Sequence, residues 1–318
     1  MKAVLIEKDQ IRIVDDQPEP ARPKGWALIR PRLVGICGTD LELLRGYRQF
    51  KGIPGHEFVG EVLETDVPSL AGKRVVGEIN IGCSNCSRCR SGLPGHCSRR
   101  RVLGIDGIDG CFADRFVLPA GNLYPVPDAV SDERAVFTEP LAAAFEIPEQ
   151  LHIKPGMRIV VLGSGKIGTL CAWVLAKMAG HVALVGHHPE ILEKVRFPGV
   201  NTSVPESDLT DADLVVDATG SASGLESALR LVRPRGTIVI KSTIAGRHEI
   251  SLTSLVTKEI SVVGSRCGPF REALTALATG DYPVERLVDG RYPMIRAVEA
   301  FRHAATRGAL KVLVSGEY

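Results

Sequence analysis

Four cysteines in one short loop carry the strongest chemical signal in this chain. They stand in the run CSNCSRCRSGLPGHC, which has the spacing C-x2-C-x2-C-x7-C, and they are Cys83, Cys86, Cys89 and Cys97. Four thiolates this close in sequence can all reach one tetrahedral Zn²⁺. The gaps hold mainly Ser, Asn, Arg, Gly and Pro, so the loop has little apolar surface to bury, and a metal is the expected source of its order. A pair of disulfides is the alternative.

A second, different group of metal-ligand residues lies upstream. Cys37 stands in GICGTD, and His56 and Glu57 stand in IPGHEFVGEV. Three protein ligands plus a water is the pattern of an open, catalytic zinc site. Glu139, in FTEPLAAA, is a candidate additional ligand, or a carboxylate that exchanges with the metal-bound water; the alternative is an acid that stabilises a helix start. The two groups together predict two zinc ions per chain, one catalytic and one structural.

A glycine-rich turn follows an apolar strand and opens a helical segment. In this setting the first glycine of GSGKIG permits a tight turn, the second lets the backbone approach a pyrophosphate, and the third lets helix and strand pack closely. The helix N-terminus then offers N–H groups to the phosphates. A glycine-rich turn without a nucleotide is the alternative. The candidate cofactor-binding residues of this turn are Gly163, Ser164, Gly165, Lys166, Ile167 and Gly168.

The end of the next strand bears on the choice between NAD and NADP. An NAD site usually carries Asp or Glu about 20 residues after the glycines, where the carboxylate accepts hydrogen bonds from the ribose 2′-OH. Here the strand HVALV ends in Gly186, His187 and His188. No carboxylate stands there to repel a 2′-phosphate, so the sequence favours NADP over NAD. The alternative is that both histidines are solvated turn residues and that either cofactor is used.

The composition is that of an ordinary globular protein. The 318 residues are enough for two domains, with 44% hydrophobic and 24% charged residues. A formal charge of +2 gives no reason to expect nucleic acid or a membrane surface as a partner, and no apolar run approaches the ~20 residues that span a bilayer. The N-terminal run MKAVLIEKDQIRIVDD has no apolar core of a secretory signal. We therefore expect a cytoplasmic protein, where clustered cysteines bind metal more often than they form disulfides.

The pattern of elements changes along the chain. Up to about residue 130, short alternating segments such as HEFVGEVLE are broken by Gly and Pro, which predicts an antiparallel, barrel-like β domain. From residue 157, strands such as MRIVVLG alternate with helices, which predicts an α/β Rossmann domain with a doubly wound parallel sheet. The tail GALKVLVSGEY returns to β character. We expect residues 1–138 and 267–318 to form the first domain and residues 139–266 the second.

Taken together, the motifs resemble those of the medium-chain zinc-dependent alcohol dehydrogenase superfamily, in its polyol, threonine and glucose dehydrogenase branch. ICGTD, GHEFVG, the four-cysteine loop, TEPLA, GSGKIG and KEISVVGS occur in the order of that family and cover nearly the whole chain. The resemblance implies an N-terminal GroES-like β-barrel domain carrying both zinc sites, and hydride transfer between a secondary alcohol and NAD(P). The run CGTDLELLRG is similar to archaeal-type glucose dehydrogenases, which also tend to favour NADP.

The resemblance also implies roles for single residues. Cys37 and His56 match direct ligands of the catalytic zinc, whereas Glu57 and Glu139 match positions that bind the metal or its water. The four clustered cysteines match the structural zinc lobe.

Two more residues match the proton path of the family. Thr39 matches the hydroxyl residue that passes on the substrate's proton, and Glu42 stands where many members carry a histidine as the next proton carrier. The partners implied are a small-molecule alcohol or carbonyl substrate and further copies of the chain, in a homodimer or homotetramer paired through KEISVVGS.

Other protein classes share some of these features. A methyltransferase would explain the glycine-rich turn but neither group of metal-ligand residues. A zinc-containing, non-enzymatic Rossmann redox sensor or nucleic-acid-binding module would explain the four-cysteine loop alone. A nucleic-acid-binding module would also carry basic patches, and the only basic cluster in the sequence is Arg99-Arg100-Arg101. A zinc-independent reductase of the same superfamily would generally lack both groups.

Overall fold

The chain folds into two compact units. The computed structural model describes residues 1–202, 206–243, 250 and 252–316. Unit 1 comprises Met1–Glu139 and Phe270–Tyr318, and unit 2 comprises Pro140–Pro269. Glu317 and Tyr318, the end of the tail that we expect to return to β structure, lie outside the described residues. Within the described ranges, no helix combines the length and the apolar character needed to cross a bilayer.

Strands and helices are numbered in chain order. The strands are β1 (Ala3–Glu7), β2 (Gln10–Val14), β3 (Trp26–Gly35), β4 (Glu57–Thr65), β5 (Arg74–Gly77), β6 (Asn80–Ile81), β7 (Arg101–Leu103), β8 (Gly107–Ile108), β9 (Phe116–Pro119), β10 (Leu123–Pro125), β11 (Ile159–Leu162), β12 (Val182–Val185), β13 (Val200–Asn201), β14 (Ala212–Asp217), β15 (Val232–Ile240), β16 (Ser261–Gly264), β17 (Val288–Pro293) and β18 (Lys311–Ser315). The α-helices are α1 (Gly38–Leu44), α2 (Ser87–Arg90), α3 (Asp132–Ala135), α4 (Thr138–Gln150), α5 (Lys166–Ala179), α6 (Pro189–Lys194), α7 (Gly224–Leu231), α8 (Thr253–Thr257), α9 (Phe270–Ala278) and α10 (Ala297–Ala304).

A seven-stranded sheet forms the centre of unit 1. Six of its strands run in the order β10-β5-β4-β3-β18-β17, and β9 also pairs with β3. The pairs are antiparallel except β17 with β18. Along β3 the exposed residues Arg30 and Arg32 alternate with buried neighbours, which is the period-two pattern of a strand with one covered face.

The C-terminal strand β18 lies between β3 and β17 in that sheet. Leu313 pairs with Gly35 and Ser315 with Leu33, in antiparallel register. This pairing brings the start of β18, at Lys311, beside the end of β3, from which the chain enters the loop that holds Cys37. Residues separated by more than 250 positions in sequence therefore meet at one end of the sheet.

Unit 2 contains a six-stranded sheet in which every pair is parallel. The strand order is β13-β12-β11-β14-β15-β16. Counted from β11, this is the 3-2-1-4-5-6 order of the Rossmann fold. The predicted doubly wound parallel sheet is thus confirmed.

Buried apolar side chains from both sheet and helices hold unit 2 together. One cluster joins Val160 and Val215 of the central strands to Leu225 and Ala228 of α7. On α5, Trp173 is fully buried, and its Nε1 donates to the carbonyl oxygen of Val195 at 2.9 Å. Because its only polar atom is satisfied, this large ring packs in the interior without a desolvation cost.

Candidate functional site

Cys37 is the N-cap residue of the short helix α1. Its N–H donates to Asp40 Oδ2 at 2.8 Å, and the N–H of Thr39 donates to Cys37 Sγ at 3.5 Å, which together form a capping box. The helix and the N–H of Thr39 therefore fix the position of the sulfur. Ser, Thr, Asp and Asn are the usual N-cap residues. A cysteine at this position is therefore not explained by helix capping alone.

Cys37, His56 and Glu57 come together in unit 1. One ligand atom from each residue lies within 4.8 Å of the others. The imidazole of His56 is 2% exposed and Glu57 is 1% exposed. A thiolate, an imidazole and a carboxylate are zinc ligands, and polar groups this deeply buried require a partner. The donor set therefore fits a zinc ion.

Asp40 supports His56 from behind. The Asp40 side chain is fully buried, and its Oδ1 accepts from the N–H of Gly55 at 3.1 Å and lies 3.4 Å from His56 Nδ1. That last contact is too long and poorly aligned to satisfy Nδ1, which has no well-formed hydrogen bond among the described residues. With Nδ1 facing Asp40, Nε2 is the nitrogen left to bind a metal. Our sequence analysis missed Asp40, although it stands three residues after Cys37 in the same motif.

The environment of His56 strongly affects its charge. Burial disfavours the imidazolium, but the anions of Asp40 and Cys37 outweigh burial and raise the pKa of His56 well above its usual range. A cation at this position is therefore stabilised by the residues around it. The same negative surroundings would attract a metal ion to the imidazole.

Glu57 also forms a buried ion pair with Lys311. Lys311 Nζ donates to Glu57 Oε2, and both side chains are at most 1% exposed. The ammonium also lies 5.4 Å from the centre of the Phe137 ring. Gly35 leaves room for this pair, since a methyl group on Gly35 would lie 2.6 Å from Glu57 Oε2. Glu57 thus has a cationic partner within the protein as well as a place in the candidate metal cluster.

Glu139 lies outside the cluster of Cys37, His56 and Glu57. It stands in the first turn of α4 and is half-buried. Burial raises the pKa of Glu139 to about 7, with His56 opposing the rise and Glu57 adding to it. Glu139 is therefore an electrostatic neighbour of the cluster and could take up or release a proton near neutral pH.

The two residues assigned to the proton path differ in their contacts. Thr39 Oγ1 lies 3.7 Å from Cys37 Sγ, so its hydroxyl stands beside the candidate metal cluster. Glu42 accepts from Arg45 Nη1 at 2.6 Å. The Glu42 carboxylate thus forms an ion pair with Arg45, three residues further along the chain.

The four-cysteine loop forms a separate cluster. Cys83, Cys86, Cys89 and Cys97 each place Sγ within 4.8 Å of the others. Cys86 Sγ and Cys97 Sγ lie 3.8 Å apart, much farther than the ~2.05 Å of a disulfide, and all eight cysteines of the chain are free thiols. The arrangement favours the closed four-thiolate zinc site over the disulfide alternative.

Hydrogen-bond donors surround the sulfurs of this loop. Arg99 donates through Nη2 to Cys83 Sγ at 3.2 Å and through its N–H to Cys97 Sγ at 3.3 Å. The pKa of Cys83 falls to about 6, first because the backbone of Asn85 hydrogen-bonds to its sulfur. The thiolate of Cys83 is therefore favoured, whereas burial raises the pKa of Cys89 to about 11, and metal binding requires that thiol to lose its proton as well.

The three glycines of the turn before α5 have the geometry of a dinucleotide site. Gly163 has φ +100°, and a methyl group there would lie 2.6 Å from the carbonyl oxygen of Ala218. A methyl group on Gly168 would lie 1.9 Å from the carbonyl oxygen of Gly163. Around Gly165, by contrast, the described residues leave open space, as the approach of a pyrophosphate requires. Gly165 is the N-cap of α5 and makes no side-chain cap hydrogen bond.

The predicted discriminating residues follow β12. Gly186 is half-buried, His187 is exposed, and His188 Nδ1 lies 3.3 Å from Glu190 Oε1. His188 therefore stands beside a carboxylate, which would compete with a phosphate for a hydrogen bond from this imidazole. Among the contacts found in the described residues, no carboxylate is paired with the imidazole of His187.

Two family models match the chain. The alcohol dehydrogenase GroES-like domain matches residues 23–128, and the zinc-binding dehydrogenase model matches residues 167–279. These matches confirm the predicted fold class, a GroES-like domain combined with a Rossmann domain.

Relatives with known names or structures match along almost the whole chain. A sorbitol dehydrogenase of Halalkalibacterium halodurans is 29% identical and covers 95% of each chain. The crystal structure of a short chain alcohol dehydrogenase (rspB) of Escherichia coli CFT073, complexed with NADH, has a TM-score of 0.88 at 27% identity and covers 99% of each chain. A Sinorhizobium meliloti 1021 protein described as a zinc-binding dehydrogenase and bound to NADP has a TM-score of 0.86 at 28% identity, covering 99% of this chain and 98% of that one. The chain belongs to the medium-chain zinc-dependent alcohol dehydrogenase superfamily.

Proposed function

We propose that the chain oxidises a secondary alcohol of the polyol or sugar class, or reduces the matching carbonyl, with NADP favoured over NAD. The observation that carries this proposal is the buried cluster of Cys37, His56 and Glu57. Membership of the dehydrogenase superfamily supports the enzyme over a non-enzymatic redox sensor or nucleic-acid-binding module, because those alternatives leave this cluster unexplained.

The chain offers ligands for two zinc ions. Cys37, His56 and Glu57 would hold one, with Glu139 as the candidate additional ligand or as the carboxylate that exchanges with its water, and the four cysteines of the loop would hold the other. A zinc ion in the first site supplies Lewis acidity, which lowers the pKa of an alcohol and polarises a carbonyl. Nδ1 of His56 faces the Asp40 carboxylate at 3.4 Å, and the capping box of α1 holds Cys37 in position.

The proton of the alcohol leaves through a hydroxyl. Thr39 Oγ1 stands beside Cys37 Sγ and can accept this proton while passing its own to solvent. Glu42 is the candidate next carrier, but its ion pair with Arg45 favours a stabilising electrostatic role. Unit 1 thus acts as the catalytic domain and unit 2 as the dinucleotide-binding domain.

Two observations support the cofactor and substrate class. Gly186 stands where a carboxylate would select NAD, and a 2′-phosphate would meet no acid at that residue. Among relatives, one named sorbitol dehydrogenase and others named D-xylulose reductase A act, by their names, on polyols or their ketoses. With aromatic residues at only 5% of the chain, a polar pocket is favoured over one for bulky apolar alcohols.

Self-association and a cytoplasmic location complete the proposal. The strand β16 ends the described order of the unit 2 sheet, and its Val262 is 40% exposed, so a second copy can pair with this edge in a homodimer or homotetramer. Eight free cysteines fit a reducing compartment. No partner of the nucleic-acid or membrane kind is proposed.

Hydride transfer can be followed directly with zinc-loaded protein. The absorbance of reduced nicotinamide is recorded with NADP or NAD and a panel of sugars, polyols, threonine and simple secondary alcohols. We expect turnover of a polyol or sugar with NADP. Turnover with NAD alone would contradict the cofactor preference, and inactivity across the panel with zinc bound would contradict the substrate class.

A further inference from the structure

The glycine-rich turn touches the end of β12 at one point. Ser164, in the turn, is 6% exposed and lies against Gly186. A methyl group on Gly186 would lie 2.1 Å from Ser164 Oγ and 2.5 Å from Ser164 Cβ. Non-bonded atoms do not approach this closely, so a side chain at 186 can stand beside the present side chain at 164 only if the turn or the end of β12 shifts.

Rotation of the serine side chain does not remove this conflict. Turning about χ1 moves Oγ, but Cβ is fixed by the backbone and would remain 2.5 Å away. The backbone is itself tied to β12, because the N–H of Gly163 donates to the carbonyl oxygen of Val185 at 2.8 Å. The carbonyl oxygen of Ser164 accepts from Thr169 Oγ1 at 3.2 Å, which anchors the other side of the turn to α5.

The backbone of Gly186 does not by itself require glycine. Its φ lies outside the left-handed region, unlike that of Gly163 in the same site. The space around Gly165, two residues further along the turn, is open among the described residues. The requirement for glycine at 186 therefore comes from the contact with Ser164, with Leu192 Cδ2 adding a second neighbour at 3.2 Å.

Position 186 is also the position where a dinucleotide site carries the acid that selects NAD. We propose that Ser164 is a specificity-determining residue that acts through Gly186: it excludes the selecting carboxylate and so keeps the end of β12 open to a 2′-phosphate. This inference rests on the proposed NADP preference, but the contact between the two residues can be tested separately from it.

The test compares four forms of the full, zinc-loaded chain: wild type, Ser164→Gly, Gly186→Asp and the double variant. The dissociation constants for NADH and NADPH are measured by titration calorimetry. We expect Gly186→Asp to weaken NADPH by about tenfold or more without strengthening NADH, because the turn is displaced. In the double variant the carboxylate has room, and we expect NADH to bind about tenfold more tightly than to Gly186→Asp.

The dissociation constants for NADH and NADPH, compared among the four forms, separate the possible outcomes. An equal gain in NADH affinity in Gly186→Asp and in the double variant would overturn the role of Ser164. A wild type that binds NADH more tightly than NADPH would overturn the proposed cofactor preference, while the difference between the single and double variants still reports on the 164–186 contact.

A stability measurement covers the case in which Gly186→Asp does not fold. Gly186→Ala should lower the thermal midpoint, and Ser164→Gly should restore it in the double variant. As a matched control, Gly264→Ala adds a methyl group where the described residues leave open space, so its effect should be the same with or without Ser164→Gly. Equal losses for Gly186→Ala in both backgrounds would overturn the inference.

Discussion

Lys311 and Glu57 form an ion pair inside unit 1 in which neither side chain is more than 1% exposed. Two charges removed from water lose their hydration, and they are tolerated only when they neutralise each other or bind a metal. Glu57 has both options, since it pairs with Lys311 and also belongs to the cluster with Cys37 and His56. The C-terminal strand β18 is therefore linked to the candidate active site by charge as well as by sheet pairing.

Replacing Lys311 by Met should destabilise the protein strongly. The substitution leaves the Glu57 carboxylate buried beside apolar groups, which costs about 3–5 kcal/mol in a buried pair. Urea unfolding followed by circular dichroism measures the loss. As a control, Arg12→Met breaks an exposed pair with Glu7 in the same unit and should cost less than about 1 kcal/mol. Similar losses for both variants would show that the Lys311 pair is unimportant.

Asp40→Asn should weaken zinc binding without removing a ligand. The Asp40 carboxylate accepts a hydrogen bond from the backbone N–H of Cys37 and also faces Nδ1 of His56. Loss of such a supporting carboxylate typically lowers metal affinity about 10- to 100-fold. Competition with a chromophoric chelator measures the affinity. Asp114→Asn serves as the control, because Asp114 accepts from the backbone of Lys2 and lies outside the metal clusters; an equal loss in both variants would contradict the role of Asp40.

Thr39 and Glu42 should differ sharply in their contribution to turnover. Thr39→Val removes the hydroxyl beside Cys37 and should lower kcat by about 10²-fold or more, whereas Thr39→Ser should retain most of it. Glu42→Gln should change kcat by less than about tenfold, because the carboxylate is already paired with Arg45. Steady-state kinetics measure both. A larger loss for Glu42→Gln than for Thr39→Val would assign the proton path to the carboxylate instead.

Stability should fall at alkaline pH because of Cys171. This thiol is fully buried in unit 2, and burial raises its pKa from 9.0 to about 11. The folded state holds the proton more tightly than the unfolded state, so the stabilising effect is complete below pH 9 and is lost as the pH rises towards 11. At pH 10.5 the loss is about 2 kcal/mol.

Cys171→Ala should flatten this alkaline decline. The cavity left by the missing sulfur lowers the free energy of unfolding of the variant. Wild type alone loses stability as the thiol titrates, so the difference in the free energy of unfolding between wild type and variant should shrink by about 2 kcal/mol between pH 7.5 and 10.5. Urea titrations at the two pH values measure this difference. If the difference stayed constant with pH, the thiol would not be the titrating group.

The sequence was sufficient to predict the family and the fold class. Strand and helix periods, together with Gly163, Gly165 and Gly168, indicated the parallel sheet and its cofactor turn, because these patterns depend on residues close together in sequence. The two metal clusters could also be proposed from residue types and local spacing. Which residues actually bind zinc stays a prediction.

Contacts across long sequence separations could not be predicted. Lys311 looked like an ordinary residue of a C-terminal strand, and only the pairing of β18 with β3 brings it to Glu57. Asp40 was visible in the motif, but its buried contact with His56 depends on the loop that returns through Gly55. The contact between Ser164 and Gly186 likewise depends on how closely the turn approaches β12.

The most direct test of the central claim is the zinc content and hydride-transfer rate of Cys37→Ala beside wild type. We expect wild type to hold about two zinc ions per chain and Cys37→Ala about one, with turnover of the best alcohol nearly abolished. Cys267→Ala, which removes a half-buried thiol outside both clusters, should keep both zinc ions and full turnover. A Cys37→Ala protein that retained two zinc ions and full activity would contradict the catalytic zinc site.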